Sequence, residues 1–267
     1  MIFLYEYQAQ KIKNFDNNKN INCKKNVKKL HYEYFFITEN VATIVLLHGW
    51  GGNFQSFLPI SSAFEGYNVL SVDFCGFGMS DKPNYDFTIF TYADVIVQLI
   101  RYLKLKEVIL LGHSFGGRVA MILGNNNQIN ITKIILIDSA GIKPRFNLKK
   151  KFNILRYKIN KKLVAINLKN KKCLQKFGSV DYKSLEENEK KVFLNIIKQD
   201  LSNFAKNIMQ NTLIIWGEKD KDTPLYMAKK LHKYIKCSKL FVVKDAGHFS
   251  YIDDSLNVIK IIKEFLK

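Results

Sequence analysis

Short apolar runs alternate with helix-like segments along most of the chain, and this alternation constrains the fold more than any other feature of the sequence. The runs are continuous rather than interleaved with polar residues, as is typical of parallel strands buried on both faces of a sheet. The predicted strands are residues 43–47, 68–73, 108–111, 133–138, 212–216 and 239–243, with an edge strand over residues 31–37. The sequence therefore predicts an α/β fold, with a mostly parallel, doubly wound sheet and helices on both faces.

The alternation stops once, between residues 143 and 205, where only helical patterns occur. On either side of that segment, helices are predicted over residues 54–64, 91–103, 116–123, 224–234 and 255–265. We therefore expect residues 1–142 and 206–267 to form the core and residues 143–205 to form an inserted helical cap, or lid.

Two predicted helices of this cap carry apolar stripes at helical spacing. The first stripe lies opposite lysines and consists of Leu148, Phe152, Leu155, Ile159, Leu163 and Ile166, with Lys149, Lys150, Lys158, Lys161 and Lys169 on the other face. The second helix is predicted to begin at Ser184. The Ser184 hydroxyl and the Glu187 side chain three residues later can cap it as a capping box. Its stripe is Phe193, Ile196, Ile197, Leu201 and Phe204. We expect both stripes to pack onto the core.

The formal net charge of +19 is concentrated in the same segment. Residues 143–205 contain 17 Lys and Arg against 5 Asp and Glu, and no acidic residue occurs between Lys143 and Val180. The favoured interpretation is a compositional bias carried by solvated faces, because net charge reports on solubility and association rather than on fold. Nucleic acid is not predicted as a partner, and contact of the basic cap with a membrane surface is the less favoured alternative.

Several other classes of protein are not indicated. No apolar run approaches the ~20 residues that span a bilayer, and the first residues lack the basic, apolar and small-residue regions of a signal peptide. Four scattered cysteines without a C-x-x-C pair predict free thiols in a reducing compartment; they are Cys23, Cys75, Cys173 and Cys237. We therefore expect a cytoplasmic protein with neither a metal site nor another cofactor.

A candidate nucleophile lies in Gly112-His113-Ser114-Phe115-Gly116, between a predicted strand and a predicted helix. A sharp turn at Ser114 requires small residues two positions before and after it, because side chains there would collide. Such a turn exposes the serine Oγ beside a helix N-terminus, which favours developing negative charge.

A nucleophilic serine needs a base, and the base needs a carboxylate that holds the correct tautomer. Asp220 follows the predicted strand 212–216, and His248 follows strand 239–243. Both therefore lie at the carboxyl edge of the sheet with Ser114, where ligands bind in parallel sheets. Glycines in residues 48–52 also allow close backbone approach, so the N–H groups of Trp50 and Phe115 can bind an oxyanion.

At this point the chain resembles the α/β-hydrolase fold family, specifically its capped members. The resemblance extends from about residue 43 to the C-terminus and is carried by HGWGG at 48–52, DFCGFGMS at 73–80, GHSFGG at 112–117, WGEKD at 216–220 and AGH at 246–248. It implies Ser114 as nucleophile, Asp220 as acid, His248 as base and Trp50 and Phe115 as oxyanion donors, with a cap that shapes the pocket. Asp222 and Asp138 are alternative acids.

These features predict a cofactor-free serine hydrolase that cleaves an ester of a small to medium apolar acyl compound, a small-molecule substrate. Within enzymes, the alternative is hydrolysis of a carbon–carbon bond beside a ketone, as in capped relatives that cleave ring-fission products with the same triad. A ligand-sensing protein on this fold is the alternative from another class. Relatives with an aspartate nucleophile carry it where this chain has Ser114, which disfavours halide and epoxide chemistry.

Overall fold

The computed structural model describes residues 29–83, 86–144, 148–166, 168–170, 173, 185 and 187–267. Within them, seven strands form one sheet in the order β1-β3-β2-β4-β5-β6-β7. Strand β1 is antiparallel to β3, and the other neighbours are parallel. The strands are β1 Tyr32–Phe35, β2 Thr43–Leu47, β3 Asn68–Val72, β4 Val108–His113, β5 Ile131–Ile137, β6 Asn211–Gly217 and β7 Ser238–Val243. The predicted α/β sheet and its edge strand are confirmed, and the structure adds that the edge strand is antiparallel.

Both faces of the sheet are buried, which explains the continuous apolar runs. Along β2, Val45 and Leu47 belong to one apolar cluster, whereas Ile44 and Leu46 belong to the cluster on the opposite face. Successive side chains of a strand point to opposite faces, so a strand covered on both sides requires apolar residues at every position.

Helices cover the two faces of the sheet. The described helices are α1 Ile89–Tyr102, α2 Phe115–Leu123, α3 Leu148–Ala165, α4 Glu187–Lys198, α5 Ser202–Lys206, α6 Tyr226–Tyr234, α7 Ser250–Asp253 and α8 Ser255–Leu266. Helices α1, α2 and α6 contribute to the first cluster, and α8 to the second. Residues 54–64 differ from the prediction, because they form a 3₁₀ segment, Leu58–Phe64, whose backbone leaves helical geometry at the fully buried Ile60.

The second predicted cap helix is shorter than expected. Helix α4 ends at Lys198, and Leu201 and Phe204 belong to a separate turn around α5. The chain is held away from a continuous helix by the N–H of Leu201, which donates to the carbonyl of Gly141 at 2.9 Å, and by Asp200, which accepts from Ser202. The predicted start of the helix at Ser184 lies outside the described residues.

The two apolar stripes of segment 143–205 differ in their environments. In α4, Ile196 is only 1% exposed, as expected for a helix that packs onto the core, whereas Ile197 at the edge of the stripe is 47% exposed. In α3, Phe152, Leu155 and Ile159 are 59%, 54% and 49% exposed, so the prediction that the stripe faces the core is wrong for these residues. Leu163 of the same stripe is half-buried, as are Tyr157, Asn160 and Val164 further round the helix, and the Leu148 side chain lies outside the described part of the chain.

Two predictions about the chain's surroundings concern membranes and cysteines. Among the described helices, none combines the length and apolarity needed to cross a bilayer. Of the described cysteines, Cys75, Cys173 and Cys237 form no disulfide, in agreement with the prediction of thiols. Cys23 lies outside the described residues.

Candidate active site

Ser114 occupies the sharp turn between β4 and α2. Its backbone has φ 48° and ψ −106°, a conformation that few non-glycine residues adopt. Backbone hydrogen bonds hold it there: the Ser114 N–H donates to the carbonyl of Ile137 at 3.1 Å, and the Ser114 carbonyl accepts from the N–H of Ala140 at 3.1 Å. Strained backbone of this kind persists where the surrounding structure fixes it.

The glycines on either side of Ser114 are required by backbone packing. A Cβ atom at Gly112 would lie 2.6 Å from the carbonyl carbon of Gly116, and a Cβ at Gly116 would collide with the carbonyl oxygen of Leu47 in the neighbouring strand. Neither obstacle is a flexible side chain that can move aside. The two glycines therefore allow α2 to begin directly against the sheet.

Gly116→Ala should destabilise the protein, because the added methyl group must displace the backbone of β2. Overpacking of this kind costs about 1–3 kcal/mol or more, so we expect the melting temperature to fall by about 2–5 °C or more. Gly247→Ala is the matched control, since its Cβ would meet Asp253 Oδ2 at an ordinary 3.5 Å. Equal melting temperatures for the two variants, measured by circular dichroism, would contradict this explanation.

The structure brings Ser114, His248 and Asp220 together at the carboxyl edge of the sheet. His248 Nε2 lies 2.9 Å from Ser114 Oγ, and His248 Nδ1 lies 2.9 Å from Asp220 Oδ2. With Nδ1 protonated and facing the carboxylate, Nε2 is free to accept the serine proton. The three side chains thus form a continuous chain of hydrogen-bonded groups between loops far apart in sequence.

The turn that follows Asp220 holds its carboxylate in place. The part played by Thr223 in this turn was not predicted from the sequence. The N–H groups of Asp222 and Thr223 donate to Asp220 Oδ1 at 2.8 and 2.9 Å, and the Thr223 hydroxyl donates to Oδ2 at 2.6 Å. A side-chain carboxylate that accepts from residues two and three positions later is a common turn of aspartate. The threonine three residues after Asp220 was the available signal.

Neither alternative acid hydrogen-bonds to His248 among the described residues. Asp222 is exposed, whereas Asp138 is fully buried. Asp138 accepts from the Gly217 N–H at 2.7 Å and from the N–H and hydroxyl of Ser250 at 3.0 and 2.6 Å. Its carboxylate therefore links the end of β6 to the loop that carries His248.

Burial and hydrogen bonding shift the pKa values of these groups in opposite directions. For His248, burial lowers the pKa, but the hydrogen bond and negative charge of Asp220 outweigh it and leave the pKa above its ordinary 6.5. For Asp220, burial raises the pKa, and the hydrogen bonds from His248 and Thr223 outweigh it, so the pKa is below 3.8. Burial raises the pKa of Asp138 to about 7 despite three hydrogen bonds.

The loop after β2 places Trp50 beside the start of α2. The rings of Trp50 and Phe115 are 5.4 Å apart in an edge-to-face contact. Among the described residues, the backbone N–H groups of Trp50 and Phe115 donate no hydrogen bond, so both remain available to an oxyanion. His48 fixes this loop, since its Nδ1 donates to the Gly49 carbonyl at 2.7 Å and its Nε2 accepts from the Phe74 N–H at 3.0 Å.

His113, the residue before Ser114, is a second support that sequence reasoning did not identify. It is buried, and its Nε2 donates to the backbone carbonyl of His248 at 2.8 Å. Burial lowers the His113 pKa to about 3, with the neighbouring His248 as a further cause. A neutral His113 therefore ties the loop that carries His248 to strand β4.

Helix α4 reaches this site through an aromatic contact and a buried arginine. The ring of Phe193 packs edge-to-face on Trp50 at 4.9 Å. Arg118 of α2 is 5% exposed and donates to the carbonyls of Ile196 and Gln199 at 2.6 and 2.5 Å, at the C-terminal end of α4. A cation at that end of a helix is favoured by the helix dipole, so α4 is fixed to the helix that carries the nucleophile.

One group of described side chains has the spacing of possible metal ligands. Ligand atoms of Asp220, Asp222 and His248 lie within 4.8 Å of one another. However, His248 Nδ1 and Asp220 Oδ2 face each other across their hydrogen bond. A cation would have to break that bond, so these residues fit a proton relay better than a metal site.

Comparison with known proteins supports the α/β fold and identifies hydrolases among the similar proteins. A family model described as the alpha/beta hydrolase fold matches residues 42–164 and 147–255. A putative esterase/lipase of Haemophilus influenzae is 28% identical over 257 residues, which cover 89% of this chain and 88% of that protein. An esterase from Exiguobacterium antarcticum superposes with a TM-score of 0.69 at 25% identity, over 90% of this chain and 96% of that one.

A third similarity concerns the fold alone. The meta-cleavage product hydrolase of Pseudomonas fluorescens superposes with a TM-score of 0.67 at 19% identity, covering 89% of this chain and 94% of the other. The seven-stranded sheet, the serine at the turn before α2 and the family match agree with one another. The chain therefore belongs to the α/β-hydrolase fold family and is a hydrolase of that superfamily.

Proposed function

We propose that this protein is a serine hydrolase that cleaves carboxylic esters with Ser114, His248 and Asp220. The observation that carries the proposal is the pair of 2.9 Å contacts that join Ser114 Oγ to His248 and His248 to Asp220. A nucleophile, a base and an orienting carboxylate in hydrogen-bond reach are the arrangement that acyl transfer requires. The esterase and esterase/lipase relatives provide further support.

The proposed reaction proceeds in two halves. Ser114 Oγ attacks the ester carbonyl while His248 Nε2 takes the serine proton, and the N–H groups of Trp50 and Phe115 bind the oxyanion. His248 then gives the proton to the leaving alcohol, which leaves an acyl-serine. Water attacks the acyl-serine with His248 again as base, releasing the acid and restoring Ser114. Asp220 holds the histidine tautomer in both halves.

The substrate proposal follows from the surroundings of Ser114. The aromatic rings of Trp50 and Phe193 lie on one side of the site, and the half-exposed Phe249 packs edge-to-face against His248, with ring centroids 5.5 Å apart. Such surroundings favour an apolar acyl group over a charged one. We propose a small to medium apolar acyl ester, with residues 143–205 as the cap that shapes the pocket and α4 as its inner wall.

Steady-state assays of p-nitrophenyl esters from two to twelve acyl carbons, run beside a vinylogous diketone, test this function. We expect the highest kcat/KM among the short and medium esters. Trp50→Ala and Phe193→Ala should raise KM for the longer esters more than for the acetate, because they remove apolar contact area. Turnover of the diketone with no ester hydrolysis would replace the proposal by carbon–carbon bond hydrolysis.

Hydrolysis should increase with pH along a single limb whose midpoint lies above 6.5. His248 must be neutral to accept the serine proton, and its pKa is raised, so kcat/KM is low below that pKa and reaches a plateau above it. Asp220→Asn removes the charge that raises the pKa, so the residual activity should show a limb at lower pH. A flat kcat/KM profile between pH 5.5 and 8 would contradict a histidine base.

The described cysteines support a reducing compartment for this enzyme. Cys75, Cys173 and Cys237 form no disulfide with one another, and disulfides are rare where glutathione keeps thiols reduced. We accordingly propose a cytoplasmic location, which imaging of the tagged full chain can test.

A further inference from the structure

Helix α3 presents an apolar stripe to solvent. We define the stripe as Phe152, Leu155 and Ile159 of α3 with Ile166 and Leu168 just beyond its C-terminal end, and the exposed fractions of these residues range from 49% to 70%. The half-buried Leu163 lies on the same face of α3. The first four members of the stripe recur at steps of three, four and seven residues along one helical face. From Phe152 to Ile166 the stripe is roughly 20 Å long. Soluble proteins rarely expose contiguous apolar surface of this extent without a partner.

Basic side chains flank the stripe on both sides. At about 100° per residue, Arg156 lies on one side of it and Lys158 and Lys162 lie on the other, all three exposed. No acidic side chain among the described residues forms a salt bridge with any of the three. The sequence from Lys143 to Val180 contains no acidic residue. The face is therefore apolar at its centre and positive along its edges.

This combination selects one class of partner. An apolar stripe with flanking Lys and Arg is the pattern of a helix that lies in a membrane interface, where long basic side chains reach the headgroups while apolar ones enter the acyl region. Nucleic acid would use the charges but leave the stripe in water. A second copy packed about a two-fold axis would bring the same basic edges together, because the same patch faces itself.

We propose that α3 docks this protein onto bilayers that contain anionic lipid. The stripe of Phe152, Leu155 and Ile159 enters the interface, and Arg156, Lys158 and Lys162 bind the anionic headgroups. The docking face is separate from the Ser114–His248–Asp220 contacts, so the proposal stands or fails independently of the proposed hydrolysis.

Vesicle flotation of the full chain tests the proposal. The Ser114→Ala variant is used throughout, so that any hydrolysis by Ser114 leaves the lipid intact. Vesicles of phosphatidylcholine with about one third phosphatidylserine are compared with pure phosphatidylcholine at ~0.15 M salt. We expect at least tenfold tighter binding to the anionic vesicles.

Two sets of substitutions then locate the contact. Leu155→Asn with Ile159→Asn should weaken binding roughly tenfold by removing apolar insertion. Arg156→Glu with Lys158→Glu and Lys162→Glu should weaken it at least on the order of a hundredfold, because each basic residue near an anionic surface contributes roughly a fivefold step. All these side chains are exposed, so both variants should keep the parent melting temperature.

Matched controls separate the stripe from general surface properties. Lys229→Glu with Lys233→Glu and Lys260→Glu makes the same change in net charge at exposed positions of α6 and α8. Met209→Asn with Leu256→Asn removes two other exposed apolar side chains, 75% and 81% exposed. We expect both controls to bind anionic vesicles within about twofold of the parent, since neither changes α3.

Three outcomes would overturn the proposal. The first is absence of binding to anionic vesicles. The second is an equal loss of binding in the charge-reversal control, which would indicate attraction by overall charge. The third is concentration-dependent self-association in analytical ultracentrifugation that Leu155→Asn with Ile159→Asn abolishes while vesicle binding persists, which would assign the stripe to a second copy.

Discussion

Replacing Ser114 with alanine should abolish ester hydrolysis, with kcat reduced on the order of 10⁶-fold if the triad acts as the serine proteases do. The alanine removes the only atom within hydrogen-bond distance of His248 Nε2 among the described residues, so the base has no nucleophile to activate. The same variant should lose covalent labelling by a fluorophosphonate probe, which reacts with activated serines. Labelling intensity and p-nitrophenyl ester turnover measure the two effects.

Ser62→Ala is the control, because Ser62 is exposed on the 3₁₀ segment between β2 and β3. It should label and turn over substrate as the parent does. The melting temperature of Ser114→Ala should be at or above that of the parent, since the change deletes only a hydroxyl. Undiminished labelling of Ser114→Ala would show that the reactive serine lies elsewhere.

Asp220→Asn should reduce kcat about 10⁴-fold while the fold remains intact, by analogy with the same substitution in a serine protease. The amide nitrogen would face His248 Nδ1 as a donor, so the imidazole would carry its proton on Nε2. In that tautomer Nε2 can no longer accept from Ser114 Oγ. The amide oxygen can still accept from the N–H groups of Asp222 and Thr223, which preserves the turn.

Asp222→Asn and Asp138→Asn distinguish Asp220 from the alternative acids. The exposed Asp222 side chain should tolerate the change with kcat within about twofold, because it is solvated. Asp138→Asn should lower the melting temperature, since one of its oxygens becomes a donor facing Gly217 or Ser250. A folded Asp138→Asn or Asp222→Asn variant with a greater loss of kcat than Asp220→Asn would reassign the acid.

The strands could be predicted from the sequence because burial on both faces leaves a continuous apolar run. Residues 43–47 were predicted to the residue, and 108–111 was short by only Gly112 and His113. The polar end of β4 escaped detection because it belongs to the site rather than to the core. Glycine spacing likewise predicted the turn at Ser114, since backbone collisions at Gly112 and Gly116 are local to that turn.

The environment of α3 could not be predicted, because an amphipathic pattern defines an apolar face but not what covers it. The stripe through Leu155 and Ile159 has the same spacing as one that faces a core, and only the placement of the helix shows that it faces solvent. The residues that hold the site in place could not be predicted for a related reason. His113 reaches His248 across 135 positions of sequence, a contact that no local pattern encodes.

The buried guanidinium of Arg118 couples the placement of α4 to that of α2. Any chimera that replaces α4 with the corresponding helix of a relative must supply carbonyls where Ile196 and Gln199 now accept, or bury an unpaired charge beside the nucleophile helix. The region around α3 is under no such requirement from Arg118. The position of the backbone at the end of α4 is therefore coupled to Arg118, whereas substitutions in α3 leave the contacts of that arginine unchanged.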